Sequence, residues 1–180
     1  MNSPSINVRL RRAAALLIAA AALAAVLWVI WHNSREGDRP AGTAAASSPA
    51  PAFEAVTLDG VKVRLADYRG QTVLINFWAS WCKPCVREMP LLNELHASSG
   101  EGAEVLFVNV GEAKGTVSEF MEEQKFSFPV MIDVTGRISA AYGISALPAT
   151  FVIDKEGGIQ KTVLGEITDY AELKRWMENP

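Results

Sequence analysis

The cysteines constrain this chain most. There are two in 180 residues, and both fall in one motif, Trp81-Cys82-Lys83-Pro84-Cys85. Just before it, Val73-Leu74-Ile75-Asn76-Phe77-Trp78 is apolar on both faces except for Asn76, the pattern of a strand covered on two sides. Just after it, Val86, Met89, Leu92 and Leu95 recur at core spacing, which predicts a helix from Cys82 to about His96, kinked at Pro90. Cys82 therefore meets a helix N-terminus, where unpaired amides and the helix dipole stabilise a thiolate. Cys85 faces the same way one turn later and can resolve a mixed disulfide. Lys83 adds positive charge that favours the thiolate, and Pro84 occupies a first-turn position whose amide would have no partner. A pair of inert structural thiols is the alternative, but in an oxidising compartment such a pair would not stay inert.

The surrounding pattern is α/β. Phe53–Leu58 and Val61–Leu65 alternate with period two around Asp59-Gly60, which predicts a β-hairpin. Glu104–Val110 reads as a second buried strand, Thr116–Lys125 as a helix, Phe128–Asp133 as a short extended segment and Arg137–Tyr142 as a short helix. Thr150–Asp154 and Ile159–Leu164 flank a Gly157-Gly158 turn, and Thr168–Asn179 closes the chain as a helix with Asp169 and Glu172 at capping-box spacing. Alternating βαβ followed by a hairpin and a helix implies a central mixed sheet flanked by helices.

Ahead of this domain, residues 13–31 run without a charge, AAALLIAAAALAAVLWVIW. As a helix the run would span roughly 28 Å, close to the apolar thickness of a bilayer. Arg9, Arg11 and Arg12 precede it without an acid, and Trp28 and Trp31 mark its far end. That asymmetry predicts a transmembrane anchor in the lipid bilayer, with residues 1–12 cytoplasmic and the domain extracytoplasmic. A cleaved signal peptide is the competing reading, but its apolar stretch would be shorter and closely followed by a small-residue cleavage site. Residues 32–52, rich in Ala, Ser and Pro, read as a flexible linker, leaving the domain at 53–180. Residues 1–52 carry five Arg against Glu36 and Asp38, so the rest of the chain holds 12 basic and 18 acidic residues. An acidic domain offers no nucleic-acid footprint. There is no phosphate-binding glycine loop, and two His with two Cys are too few for an ordinary zinc site unless all four converge. No metal and no cofactor beyond the cysteine pair is expected.

Asn76 to Cys85 with Pro90 resembles the thioredoxin superfamily. More narrowly, Trp78–Pro90, WASWCKPCVREMP, and Phe128–Gly157 resemble the membrane-anchored TlpA/ResA/CcmG-like thiol–disulfide oxidoreductases. The resemblance covers nearly all of residues 53–180 and implies a thioredoxin-like fold. It makes Cys82 the attacking nucleophile and Cys85 the resolving thiol. It makes Leu147-Pro148 a cis-proline loop whose backbone binds an extended substrate beside an exposed Trp81. Ordinary thioredoxins carry a buried Asp where this chain has Asn76, and an amide is no base. Glu88, three residues after Cys85, resembles the acidic residue of ResA-type sites, which makes it the proton carrier for Cys85. The competing reading of Glu88 is a solvated carboxylate paired with Arg87 or Lys83. A peroxiredoxin-type peroxidase would want Thr three residues before its attacking Cys, where Ala79 stands.

The resemblance further implies partners. These are substrate proteins with reducible disulfides, with the Cys-x-x-Cys-His segment of apocytochrome c the best match, and a membrane dithiol electron donor. Three alternatives stay open: an oxidant that donates its disulfide, a thiol-exchange protein of envelope or spore-coat assembly, and an anchored metal- or partner-binding module without turnover.

Overall fold

Every side chain of strand β4, Thr72–Trp78, is buried, because the strand runs through the middle of the sheet with helices over both faces. The computed structural model describes residues 16–18, 20–29, 47–100 and 102–180. Over residues 47–180 the other strands are β1 Ser48–Pro49, β2 Glu54–Val56, β3 Lys62–Arg64, β5 Ala103–Val110, β6 Val130–Asp133, β7 Ala149–Ile153 and β8 Gly158–Leu164. The helices are α1 Lys83–Ser98, α2 Lys114–Gln124, α3 Arg137–Ala141 and α4 Tyr170–Glu178, with a 3-10 turn at Leu65–Tyr68.

Six strands form one mixed sheet in the order β1-β8-β7-β4-β5-β6. β4, β5 and β6 are parallel, each pair joined by a helical crossover, while β7, β8 and β1 continue antiparallel. Period two splits β4 between two cores. Leu74 and Trp78 face α1, α2 and α4 with Met89, Leu92, Val117 and Leu173. Val73, Ile75 and Phe77 face the other side with Ile138, Tyr142 and Phe151. Asn76 shares the face of Leu74 and Trp78, so it points at α1. This is the mixed, helix-flanked sheet read from the sequence.

β2 and β3 pair as expected, Glu54 opposite Arg64, with Gly60 in the turn at φ 84°. The hairpin attaches to the β6 edge, where the Leu58 amide donates to the Val130 carbonyl at 2.9 Å. Helix α1 continues through Pro90 to Ser98. The capping reading at Asp169 holds on the aspartate side, because its Oδ1 accepts from the amides of Ala171 (2.8 Å) and Glu172 (3.2 Å). We expect Asp169→Ala to lower the unfolding free energy by about 1 kcal/mol, seen as a lower denaturant midpoint at unchanged slope.

The linker boundary needs correcting. Ser48–Pro49 lies inside the stretch read as flexible linker, 32–52, yet it pairs with Ile159 and Gly158 at the edge of the sheet. The Ala50 amide adds a bond to the Gly157 carbonyl at 3.0 Å. Proline is tolerated there because an edge strand leaves one row of amides unused.

Among the described residues no helix is long and apolar enough to cross a membrane. Residues 16–18 and 20–29 are helical. The rest of the apolar run, residues 13–15, 19, 30 and 31, lies outside the described residues, as do residues 1–12 and 32–46.

Candidate active site

The cysteines stand where β4 hands over to α1. Past Trp78 the chain turns through Ala79–Trp81, and the Cys82 amide closes the turn on the Ala79 carbonyl at 3.1 Å. Cys82 is the N-cap of α1, with Pro84 in the first turn. Its Sγ accepts from the Cys85 amide at 3.3 Å, one of the donors that a helix start leaves without an intrahelical partner. A thiolate formed at Cys82 would inherit that donor and the positive end of the helix dipole. The two cysteines are joined as a disulfide, with Cα atoms 5.3 Å apart. Cys82 keeps 5% of its surface and Cys85 none, so the sulfurs are not equivalent towards a partner in solution. Trp81 beside them is 69% exposed, Lys83 is exposed, and Trp78 is wholly buried.

The Leu147–Pro148 peptide is cis. Ala149 pairs with Phe77 across β7 and β4, which sets Pro148 at the end of β4 where the loop to Cys82 begins. Leu147 packs against the core that contains both cysteines.

Glu88 lies one turn beyond Cys85 on α1, a spacing that brings Cβ atoms within about 5–6 Å. It is 1% exposed, so the solvated reading of this residue is wrong. Arg87, its expected partner in that reading, turns outward instead and pairs with Glu166. The Glu88 carboxylate takes the Asn76 Nδ2 at 2.8 Å on Oε1 and the Ile167 amide at 2.8 Å on Oε2. Burial dominates its acidity and raises its pKa to about 7, and the two hydrogen bonds only partly oppose that rise. A carboxyl group poised there can carry a proton in either direction near neutral pH.

Asn76 is wholly buried and gives its second Nδ2 hydrogen to Thr150 Oγ1 at 3.0 Å. Its Oδ1 has no hydrogen-bond partner among the described residues. An amide can turn over, so Asn76 can offer Nδ2 to a carboxylate or Oδ1 to a protonated carboxyl. A buried Asp in its place would add a second negative charge next to Glu88.

Sequence reasoning missed three contributors. Thr150 lies directly opposite Asn76 in the β4–β7 register, which a pairing assignment would have exposed. Glu112, 8% exposed, accepts from the Ser80 amide at 2.7 Å, Ser80 Oγ at 2.5 Å and Asn109 Nδ2 at 2.7 Å. It thereby fastens the loop that carries Trp81 and Cys82. The signal was the parallel pairing of β4 with β5, which ends with Trp78 opposite Asn109. The third contributor is the Ile167 amide, which no side-chain pattern announces.

The AhpC/TSA family profile matches residues 46–162. Thiol-disulfide oxidoreductase ResA of Geobacillus thermodenitrificans (strain NG80-2) is 45% identical over 136 residues, covering 75% of this chain and 78% of that protein. Thiol-disulfide oxidoreductase ResA of Geobacillus kaustophilus (strain HTA426) is 38% identical over 169 residues, covering 93% of each chain. Among solved structures, a putative thiol:disulfide interchange protein DsbE from Chlorobium tepidum superposes with TM-score 0.68 at 29% identity, covering 76% of this chain and 97% of that one.

Proposed function

Since the chain belongs to the AhpC/TSA family, and within it to the ResA-type thiol–disulfide oxidoreductases, we propose that Cys82–Cys85 is its redox couple and that it works as an extracytoplasmic reductant. Reduction of a substrate runs in two exchanges. The Cys82 thiolate attacks one sulfur of the substrate disulfide, which breaks, and the other substrate sulfur leaves and takes up a proton. Cys85 then loses its proton and attacks Cys82 Sγ. The mixed disulfide breaks, the second substrate sulfur departs and takes up a proton, and the protein is left with the Cys82–Cys85 bond. Two electrons and two protons have passed to the substrate, and a dithiol donor must restore them.

Glu88 is the group we assign to accept the Cys85 proton. The observation that carries the reading is its burial one turn from Cys85 with a pKa near 7. A carboxylate there also opposes a persistent thiolate, which favours the disulfide form and hence a reductant, whereas Lys83 pulls toward an oxidant. The substrate we favour is the Cys-x-x-Cys-His segment of apocytochrome c before haem attachment, bound in extended form along Leu147–Pro148 beside Trp81. The donor is a membrane dithiol protein. Residues 13–31 serve as the anchor, supported by their unbroken apolar character and the Arg9–Arg12 cluster.

The test is the reduction potential of the pair, read by tryptophan fluorescence in thiol/disulfide buffers. A value at or below about −250 mV fits a reductant with a dedicated supply, and one of about −120 mV makes it an oxidant. Glu88→Gln should slow exchange by about 10²-fold at neutral pH and remove the inflection near pH 7. An unchanged pH–rate profile removes Glu88 from the mechanism.

A further inference from the structure

The segment between β8 and α4 crosses α1 at the level of Glu88 and is held at three points. The Gly165 amide donates to the Pro148 carbonyl at 2.9 Å. The Glu166 carboxylate takes Arg87 Nε at 2.9 and 3.1 Å and also binds Nη2. The Ile167 amide donates to Glu88 Oε2 at 2.8 Å, and its side chain is buried. Arg87 and Glu88 are consecutive on α1, as are Glu166 and Ile167 on the crossing segment. Two contacts therefore run side by side, an ion pair facing solvent and an amide-to-carboxylate bond facing the core.

We propose that Arg87 and Glu166 are positioning residues for the thiol exchange: their forked ion pair clamps the Gly165–Ile167 segment so that the Ile167 amide stays on Glu88. The inference rests on Glu88 being the proton carrier. The Arg87 side chain is 60% exposed and that of Glu166 23%, so the pair adds little to global stability. A two-point guanidinium–carboxylate contact fixes direction as well as distance, which is what an adjacent hydrogen bond needs. The groups facing Glu88 are few. β4 and β7 present the neutral Asn76–Thr150 pair, and α1 contributes the cysteines while its Arg87 turns outward to Glu166. The crossing segment brings the Ile167 amide and the Glu166 charge, and α4 presents apolar Leu173 and Met177 to this core.

Two effects of Glu166 on Glu88 have opposite signs, which makes the inference decidable. As a bare charge, Glu166 raises the Glu88 pKa, while the amide that it helps to hold lowers it. Glu166→Gln removes the charge and the clamp together. If charge alone matters, Glu88 titrates lower; if the clamp matters, it titrates higher.

The experiment follows the 13C signal of the Glu88 carboxyl against pH in the oxidised full-length protein, assigned by its loss in Glu88→Gln. The expected result is a midpoint about half a pH unit higher in both Glu166→Gln and Arg87→Gln. The charge-swapped double variant Arg87→Glu/Glu166→Arg should restore it. Added salt should raise the wild-type midpoint and leave that of Glu166→Gln, which has neither the charge nor the clamp, in place. A lower or unmoved midpoint in Glu166→Gln, or a swap that restores nothing, overturns the inference. The pH profile of thiol exchange, measured on the same variants, separates the two layers. If the carboxyl midpoints move as expected while Glu88→Gln leaves exchange untouched, the clamp stands and the proton-carrier role falls.

Discussion

Replacing Cys85 by alanine should turn the protein from a catalyst into a trap. Cys82 Sγ would still attack a substrate disulfide, but no second thiol could release the product, so mixed disulfides through Cys82 should accumulate and survive a non-reducing gel. Cys82→Ala should accumulate none, because the remaining sulfur is wholly buried whereas Cys82 retains 5% of its surface. Turnover should fall by at least about three orders of magnitude in either variant, since each lacks one half of an obligatory couple. Mass spectrometry of the trapped species would identify both the linked cysteine and the partner. Mixed disulfides of equal abundance through Cys85 in the Cys82→Ala protein would show that the two sulfurs are equally reachable. An untrapped Cys85→Ala protein would leave the cysteines as ligands and not as a catalyst.

The second large effect is on stability against pH. The Glu88 carboxyl sits near pKa 7 in the folded protein against an ordinary value of 4.5, because burial disfavours its charge. Between those values the folded state holds a proton that the unfolded chain has released, so unfolding free energy falls as pH rises. The contribution is complete below about pH 4.5 and gone above about pH 7, and amounts to on the order of 3 kcal/mol. Glu88→Gln cannot titrate. The difference between wild type and variant, from denaturant midpoints across that range, should follow this slope, while other carboxylates cancel from it. A difference that stays flat with pH would mean that Glu88 is ionised throughout.

How much of this was legible depends on how far apart in sequence the partners lie. β4 announced itself, because a fully buried strand needs nothing beyond its own apolar run. The hairpin followed from Asp59-Gly60 between alternating segments, and the Cys82–Cys85 helix start from strand, motif and helix in succession. Ser48–Pro49 was illegible, because a two-residue edge strand has no pattern of its own and exists only by pairing with β8, more than a hundred residues on. Glu88 was half legible. Its spacing from Cys85 placed it on the right face of α1, but whether that face was solvated depended on the crossing segment and on Asn76. Glu112 escaped because its partners sit just past the end of β4 and near the end of the neighbouring β5, and only the register reveals that they meet.

The small strand β1 has a mechanical consequence. It pairs with the beginning of β8, level with the end of the sheet from which β4 starts, whereas the disulfide stands beyond the end where β4 finishes. A pull applied along the chain upstream of residue 47 would load the β1–β8 pairing first, a full strand length away from the sulfurs. β1 and the disulfide lie at opposite ends of the sheet, so strain on the β1–β8 pairing leaves the geometry of the sulfurs at rest.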